Sequence, residues 1–185
     1  MLNIDLSIIA PCYNEEHNIP EFVNRLIKTV KKIGLRAEII LINDGSTDNT
    51  ENIIHSLVNL HHGVVFGLNN KKNLGIEESW KNGLKECSGR NVCIIDSDLQ
   101  YQPEAIERLY RELQYSNADV VQGYRSSIGR LEDSRKILSK VLNFLLNAIF
   151  RMDLKDNKSG FIICSKPIFE SILNHRFNYN YFQSL

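Results

Sequence analysis

Asp96-Ser97-Asp98-Leu99-Gln100 is the stretch whose residue types and spacing most directly suggest chemistry. It follows Asn91–Ile95, a short apolar run that reads as a buried strand. Two carboxylates one residue apart at the end of such a strand suit a hard divalent cation, and the side-chain oxygen of Gln100 could join them. Mg²⁺ and Mn²⁺ take oxygen ligands, and sites for phosphate substrates often combine carboxylates with phosphate oxygens. The pattern points to a metal that holds a diphosphate. A lone D-x-D is common, however, and the same residues also suit a turn capping the helix that starts near Pro103.

The elements around this stretch must position it. Leu6–Ala10 reads as a first strand, ended by Pro11, with a polar loop Cys12-Tyr13-Asn14-Glu15-Glu16 behind it. A helix follows, with Pro20 in its first turn, where a missing N–H does no harm. Ile19, Phe22, Val23, Leu26, Ile27, Val30 and Ile33 fall on one helical face, and Gly34 stops the helix. Glu38–Asn43 reads as a second strand running into Asp44-Gly45-Ser46-Thr47-Asp48, a turn and helix cap. The next helix carries Ile53, Ile54, Leu57, Val58 and Leu60, and Val64–Leu68 is a third strand. After the polar loop Asn69–Asn73, a helix places Ile76, Trp80, Leu84 and Cys87 on one side.

Beyond the acidic stretch, a helix from Pro103 to about Tyr115 turns Ile106, Leu109, Tyr110 and Leu113 inward, and Ala118–Gln122 is a fifth strand. A very apolar helix is expected from about Ser134 to Phe150, then a strand at Gly160–Cys164 and a helix opened by Pro167. Alternating strands and helices, with strands apolar on both faces, predict an α/β domain with a mainly parallel sheet. In such sheets ligands bind beyond the carboxyl ends of the strands. Three strand ends carry polar clusters here: residues 13–16, 43–46 and 96–98. No G-x-G-x-x-G, P-loop or G-x-S-x-G follows a strand, so neither dinucleotide, P-loop nor serine-hydrolase chemistry is supported.

The 185 residues suffice for one domain with a proper core. Lys plus Arg equals Asp plus Glu at 22 each, which argues against a nucleic-acid partner, since that requires a basic face. Cys12, Cys87, Cys93 and Cys164 form no C-x-x-C pair and read as reduced, mostly buried thiols. The chain opens on a short strand rather than a secretory signal, and no apolar stretch approaches the ~20 residues of a membrane span. The expected location is cytoplasmic, including the cytoplasmic face of a membrane.

Ile8-Ile9-Ala10-Pro11-Cys12-Tyr13-Asn14-Glu15-Glu16, Asn43-Asp44-Gly45-Ser46-Thr47-Asp48 and Asp96-Ser97-Asp98-Leu99-Gln100 resemble, in order and spacing, the three signatures of family 2 glycosyltransferases with a GT-A fold. Asp98-Leu99-Gln100 with Pro103-Glu104, Gly123-Tyr124-Arg125 and Asp156–Phe161 are similar to the dolichol-phosphate mannosyltransferase branch, whose members move a sugar from a nucleotide donor to a polyprenyl phosphate. The resemblance runs from about Ile4 to about Pro167. It implies one catalytic GT-A domain over residues 1–185, with a Rossmann-like, mainly parallel sheet flanked by helices on both faces, shorter at its C-terminal end than full-length relatives.

By the same resemblance, Pro11, Tyr13, Glu15 and Asp44 hold the base and ribose, joined by Asn14 and Ser97. Asn73 and Gly75 match a loop that closes over the nucleotide. Asp98 and Gln100 bind Mg²⁺ or Mn²⁺, and Asp96 contacts the ribose, or the metal through water. Asp96 and Asp98 are the implied catalytic pair. Arg125, Arg135 and Ser139 match acceptor-phosphate contacts. The implied reaction is an inverting transfer from a nucleoside-diphosphate sugar to a dolichyl or undecaprenyl phosphate, and a phosphate acceptor needs no general base. Read as residues alone, the basic loop could equally be a solvated surface. The apolar helix fits either a core or a membrane surface, where a lipid acceptor would be met. Alternatives are transfer to a saccharide hydroxyl, a nucleotide-sugar-binding module without turnover, and a phospho-acceptor signalling domain. The last fits poorly with the Tyr13-Asn14-Glu15 and Asp44-Gly45-Ser46 pairing.

Overall fold

The computed structural model describes residues 3–124 and 159–174. Its six strands form one sheet in the order β3-β2-β1-β4-β6-β5. They are β1 (Leu6–Cys12), β2 (Ala37–Asp44), β3 (Val65–Asn70), β4 (Asn91–Ile94), β5 (Val120–Gln122) and β6 (Ile162–Ser165). The first four are mutually parallel. β6 runs antiparallel to both β4 and β5. The helices are α1 (Ile19–Lys32), α2 (Thr50–Leu60), α3 (Ile76–Glu86), α4 (Ala105–Tyr115) and α5 (Lys166–Asn174).

The sheet is covered on both sides because its strands are apolar on both. Ile8, Ala10, Ile39, Leu41, Cys93 and Ile95 face a core completed by Phe22, Leu26 and Val30 of α1, Ile54 and Leu57 of α2, and Ile106 and Leu109 of α4. Their sequence neighbours Ile9, Ile40, Ile42, Val92 and Ile94 face the other core, with Trp80 of α3 and Phe169 of α5. This period-two division of continuous apolar runs is the signature of a doubly covered parallel sheet.

Several element ends differ from expectation. β1 does not stop at Pro11 but runs to Cys12, opposite Asn43 of β2. The Ile9 carbonyl faces β4, accepting the Ile95 N–H at 3.2 Å, and Pro11 two residues later presents its backbone to the same side. Pairing with β4 has ended there, so the missing N–H forfeits no ladder bond. β3 extends to Asn70, because Asn69 and Asn70 pair with Asn43 and Asp44. β4 ends at Ile94, β5 starts at Val120, β6 starts at Ile162 and α4 starts at Ala105. Leu60 is not a core residue: it ends α2 and is 73% exposed. The expected helix at 134–150 lies outside the described residues, and no helix among the described residues is long and apolar enough to cross a membrane.

Candidate active site at the carboxyl edge of the sheet

The first two polar clusters are joined to each other before they meet any ligand. Asn14 sits in the left-handed region at φ 56°, a conformation its short polar side chain tolerates. Its N–H donates to Ser46 Oγ at 3.0 Å, and its Oδ1 accepts the Thr47 N–H at 2.8 Å. The Glu15 N–H donates to Thr50 Oγ1 at 2.9 Å. The Glu16 N–H donates to Asp48 Oδ2 at 3.2 Å, while Glu16 Oε2 accepts the Asn49 N–H at 2.9 Å. Burial pushes the Asp48 carboxyl up, but hydrogen bonds from the Thr50 hydroxyl and N–H and from the Glu16 N–H outweigh it and hold Asp48 below the usual carboxylate range. Asn14, Glu16 and Asp48 therefore stitch loop to loop, leaving Tyr13 and Glu15 at the cleft between them.

Asp44 ends β2 and is only 4% exposed. Its Oδ1 accepts Asn70 Nδ2 at 2.8 Å and the Leu74 N–H at 2.9 Å, and its Oδ2 accepts the Gly75 N–H at 2.9 Å. The carboxylate thus fixes the backbone of the loop that precedes α3. Gly45 beside it, at φ +70°, lies directly against the Lys72–Asn73 backbone, where any side chain would collide.

The third cluster makes a tight turn. Asp98 Oδ1 accepts the Gln100 N–H at 3.0 Å, and Leu99 between them takes φ 60° while its side chain packs on the α1 core. The Ser97 hydroxyl donates to the Pro11 carbonyl at 2.9 Å, tying this loop to the end of β1. Behind it, the buried Tyr101 ring lies 5.1 Å from that of Phe161, and its hydroxyl donates to Ser159 Oγ at 2.8 Å. Ser159 Oγ donates to the Gly123 carbonyl and accepts the Phe161 N–H at 3.2 Å. One donor and two acceptor sites are all a hydroxyl has, so Ser159 is fully engaged. This knot brings Gly123 and Ser159 together against the acidic loop.

Together these loops enclose a cleft of about 260 Å³. Of the residues expected at a donor site, it is lined by Pro11, Tyr13, Glu15, Asp44, Asn73, Gly75, Asp96, Ser97 and Asp98. Asn14 and Gln100 do not line it: the first is turned to Thr47, and the second is exposed. Arg125, Arg135 and Ser139 lie outside the described residues. Tyr13, 47% exposed, offers a planar ring at the mouth. Burial pushes the Cys12 thiol in the cleft wall up to about 12, so it stays protonated and is no nucleophile.

Glu15, Asp44, Asp96 and Asp98 are the ionisable acids of the lining, and no basic side chain lines the cleft among the described residues. A bare diphosphate would be repelled there; one accompanied by a divalent cation would not. Asp96 and Asp98 offer the hard oxygen ligands such a cation takes. Among the described residues no three His, Cys, Asp or Glu side chains are grouped to hold a metal unaided. A site completed by substrate phosphate oxygens is the kind this donor set fits. Sequence reading missed Asn70 and Tyr101, both polar residues that support the site from behind. Their signal was slight: Asn70 ends a strand at the ligand edge, and Tyr101 directly follows the acidic turn.

A model of the family described as "Glycosyl transferase family 2" matches residues 7–176. The undecaprenyl-phosphate 4-deoxy-4-formamido-L-arabinose transferase of Proteus mirabilis is 32% identical over 143 residues, covering 76% of this chain and 43% of that protein. The transferase of the same name from Shewanella sediminis is 31% identical over 159 residues, covering 83% of this chain and 46% of that one. The chain thus spans less than half the length of these relatives. A crystal structure of glucosyl-3-phosphoglycerate synthase from Mycobacterium tuberculosis, in complex with Mn²⁺, uridine diphosphate and phosphoglyceric acid, shares the fold at a TM-score of 0.67 and 22% identity. It covers 89% of this chain and 57% of that one. With three loops at one sheet edge, and a family match running through all of them, the chain belongs to glycosyl transferase family 2.

Proposed function

We propose that this chain binds a nucleoside-diphosphate sugar with Mg²⁺ or Mn²⁺ and forms the catalytic part of an inverting glycosyltransferase whose acceptor is a polyprenyl phosphate. The observation that carries the reading is the meeting of the β1, β2 and β4 ends in one acidic cleft, with Tyr13 at its mouth and Asp96 and Asp98 at its wall. Tyr13 stacks on the base. Asp44 and the loop it holds, with Asn73 and Gly75, recognise the base edge and ribose. Asp96 and Asp98 hold the cation, with Gln100 of the same turn as a further oxygen ligand. When bound, the cation stabilises the charge that develops on the leaving diphosphate.

Transfer is a displacement at the anomeric carbon. An oxygen of the acceptor phosphate forms the new bond from the face opposite the diphosphate, and the carbon–oxygen bond to the diphosphate breaks with its electron pair. The acceptor oxygen is already anionic, so no side chain has to remove a proton. Arg125, Arg135 and Ser139 are proposed to receive that phosphate, in keeping with the bidentate geometry of guanidinium groups. The names of the two curated relatives support an undecaprenyl-phosphate acceptor, and the Mn²⁺–UDP complex of the structural relative supports the donor and metal.

Calorimetry with UDP and GDP, with and without Mn²⁺, on wild type and Asp98→Ala tests the donor half. Metal-dependent binding that Asp98→Ala abolishes is expected; metal-independent binding that survives the substitution would refute it. Radiolabelled donor then tests the acceptor half. Label entering the organic phase with undecaprenyl phosphate is expected, and label entering only a water-soluble saccharide would overturn it.

A further inference from the structure

A chain of polar side chains runs from the surface of α3 to Asp44. Lys85 Nζ donates to Asn82 Oδ1 at 3.0 Å. Asn82 Nδ2 donates to Asn70 Oδ1 at 3.1 Å. Asn70 Nδ2 donates to Asp44 Oδ1 at 2.8 Å and also reaches Ser79 Oγ at 3.1 Å. The direction of this relay is fixed at both ends. An ammonium can only donate and a carboxylate can only accept, so each amide between them has one workable orientation. Lys85 holds the Asn82 oxygen outward, which turns the Asn82 NH₂ to Asn70. That bond holds the Asn70 oxygen away from Asp44 and presents the NH₂ to the carboxylate.

The carboxylate so oriented is the group that clasps Leu74 and Gly75. A carboxylate has about four acceptor sites, and the three donors seen here leave one for a ligand N–H or hydroxyl. We infer that Asn70 and Asn82 are positioning residues for donor recognition: through a directed amide relay they set the rotation of the Asp44 carboxylate and hence the loop that meets the nucleotide base. The inference rests on reading the cleft as the donor site. It adds to that reading two residues that do not line the cleft and so need not touch the donor.

Asn70→Asp is nearly isosteric and keeps an oxygen toward Asn82. It puts a second carboxyl 2.8 Å from Asp44, where the amide stood. Two ionised carboxyls that close repel each other, so the pair takes up a shared proton at a pH above the ordinary carboxylate range and is doubly charged only well above it. When protonated, the introduced group can donate to Asp44 as the amide does. The other ionisable acids of the cleft, Glu15, Asp96 and Asp98, and Lys85 at the far end of the relay, are the same in both proteins, so the ratio of variant to wild-type affinity isolates the new pair.

The experiment is calorimetric titration of UDP and GDP in the presence of Mn²⁺, on wild type, Asn70→Asp and Asn82→Asp. For Asn70→Asp the loss of affinity should be about tenfold near pH 8 and shrink to about threefold or less near pH 5.5 as the pair takes up its proton. Asn82→Asp changes a residue outside the cleft and gains a partner in Lys85, but it can no longer donate to Asn70. It should turn the Asn70 amide round and weaken nucleotide binding about tenfold. A wild type that binds nucleotide while both variants bind equally well, or while the Asn70→Asp ratio stays constant with pH, would overturn the relay alone. A wild type that binds no nucleotide would overturn the donor-site reading together with it.

Discussion

Gly45→Ala should injure the cleft more than its single methyl suggests. Gly45 holds φ +70°, and a Cβ built there would stand 2.7 Å from Lys72 Cα and nearer still to the Lys72 carbonyl carbon and the Asn73 nitrogen. These are backbone atoms, so no side-chain rotation relieves the contact. To reach an ordinary separation of 3.4 Å from the present 2.7 Å, Lys72 Cα must retreat by roughly 0.7 Å, and the nearer Lys72 carbonyl carbon and Asn73 nitrogen must retreat further. Passed two residues along the loop, such a shift carries the 2.9 Å bonds from Leu74 and Gly75 to Asp44 beyond the range of about 3.5 Å in which they survive. The left-handed conformation alone costs alanine about 1–2 kcal/mol. Each hydrogen bond to the charged carboxylate is worth about 1.5–3 kcal/mol. With partial relaxation of the loop, the expected loss of stability is about 3–5 kcal/mol, and nucleotide affinity should fall at least about tenfold.

A matched control separates the two causes. Gly63 also has positive φ, at +79°, but a Cβ there meets nothing within 4 Å. Gly63→Ala therefore carries only the backbone penalty of about 1–2 kcal/mol and should leave donor affinity unchanged. Urea denaturation of both variants gives the difference in stability, and calorimetry with UDP and Mn²⁺ gives the affinity. If Gly45→Ala and Gly63→Ala agree within about 0.5 kcal/mol, the close approach of the two loops does not bear on the site and the reasoning fails.

Other expectations concern groups around this centre. Tyr101→Phe keeps the ring on Phe161 but removes the bond to Ser159, and should lower the unfolding free energy by about 1 kcal/mol; an unchanged urea midpoint would count against the knot. Asp48 is held below its ordinary value of 3.8, so the stability it contributes is complete above that value and disappears as pH falls through its lower folded value. The stability gap between wild type and Asp48→Asn should accordingly be constant near neutrality and begin to narrow only below about pH 4, and a gap that narrows already between about pH 7 and 5 would refute the assignment. The buried Cys12 and Cys87 thiols, both pushed up to about 12 with burial as the leading cause, should resist iodoacetamide at about pH 8 until the protein is unfolded. Glu38→Gln should cost about 1–2 kcal/mol in urea, as charge-assisted bonds become neutral ones, with no change in nucleotide affinity.

Much of this was legible in the sequence because the responsible signals are strong and local. The apolar runs of β1, β2 and β4, bounded by polar loops, told of strands buried on both sides, and the Ile19–Val30 spacing told of the face α1 presents. The three polar strand ends could be placed on one edge without coordinates, since a parallel sheet allows no other arrangement. What could not be read was which of those polar residues face a ligand and which face one another. Tyr13-Asn14-Glu15-Glu16 looks uniform as text, yet φ 56° at Asn14 turns its amide to Thr47 while Tyr13 and Glu15 face the cleft. Nor does sequence show that β1 survives Pro11, since that depends on the pairing with β4 ending at Ile9, two residues earlier.

The two ends of β2 show how the fold separates holding together from binding. At the amino end, Glu38 is buried, and its carboxylate accepts the Ser7 hydroxyl at 2.5 Å and the Ser88 N–H and hydroxyl at 2.6 and 2.7 Å. The Gly89 N–H closes on Ser7 Oγ at 2.8 Å. Every partner there belongs to β1 or to the short turn before β4, so the carboxylate is satisfied by the sheet itself. At the carboxyl end, Asp44 is as well buried, but its partners Leu74 and Gly75 belong to a loop at the cleft and Asn70 to the end of an edge strand. A buried carboxylate must keep its hydrogen bonds, so anything that displaces this loop leaves Asp44 short of partners unless it brings donors of its own. A nucleotide offering an N–H or hydroxyl does bring them. The cleft is thus a place where a ligand can be accepted without leaving a buried charge unsatisfied, and the Glu38 end, with its partners held by β1 and the short turn before β4, is not.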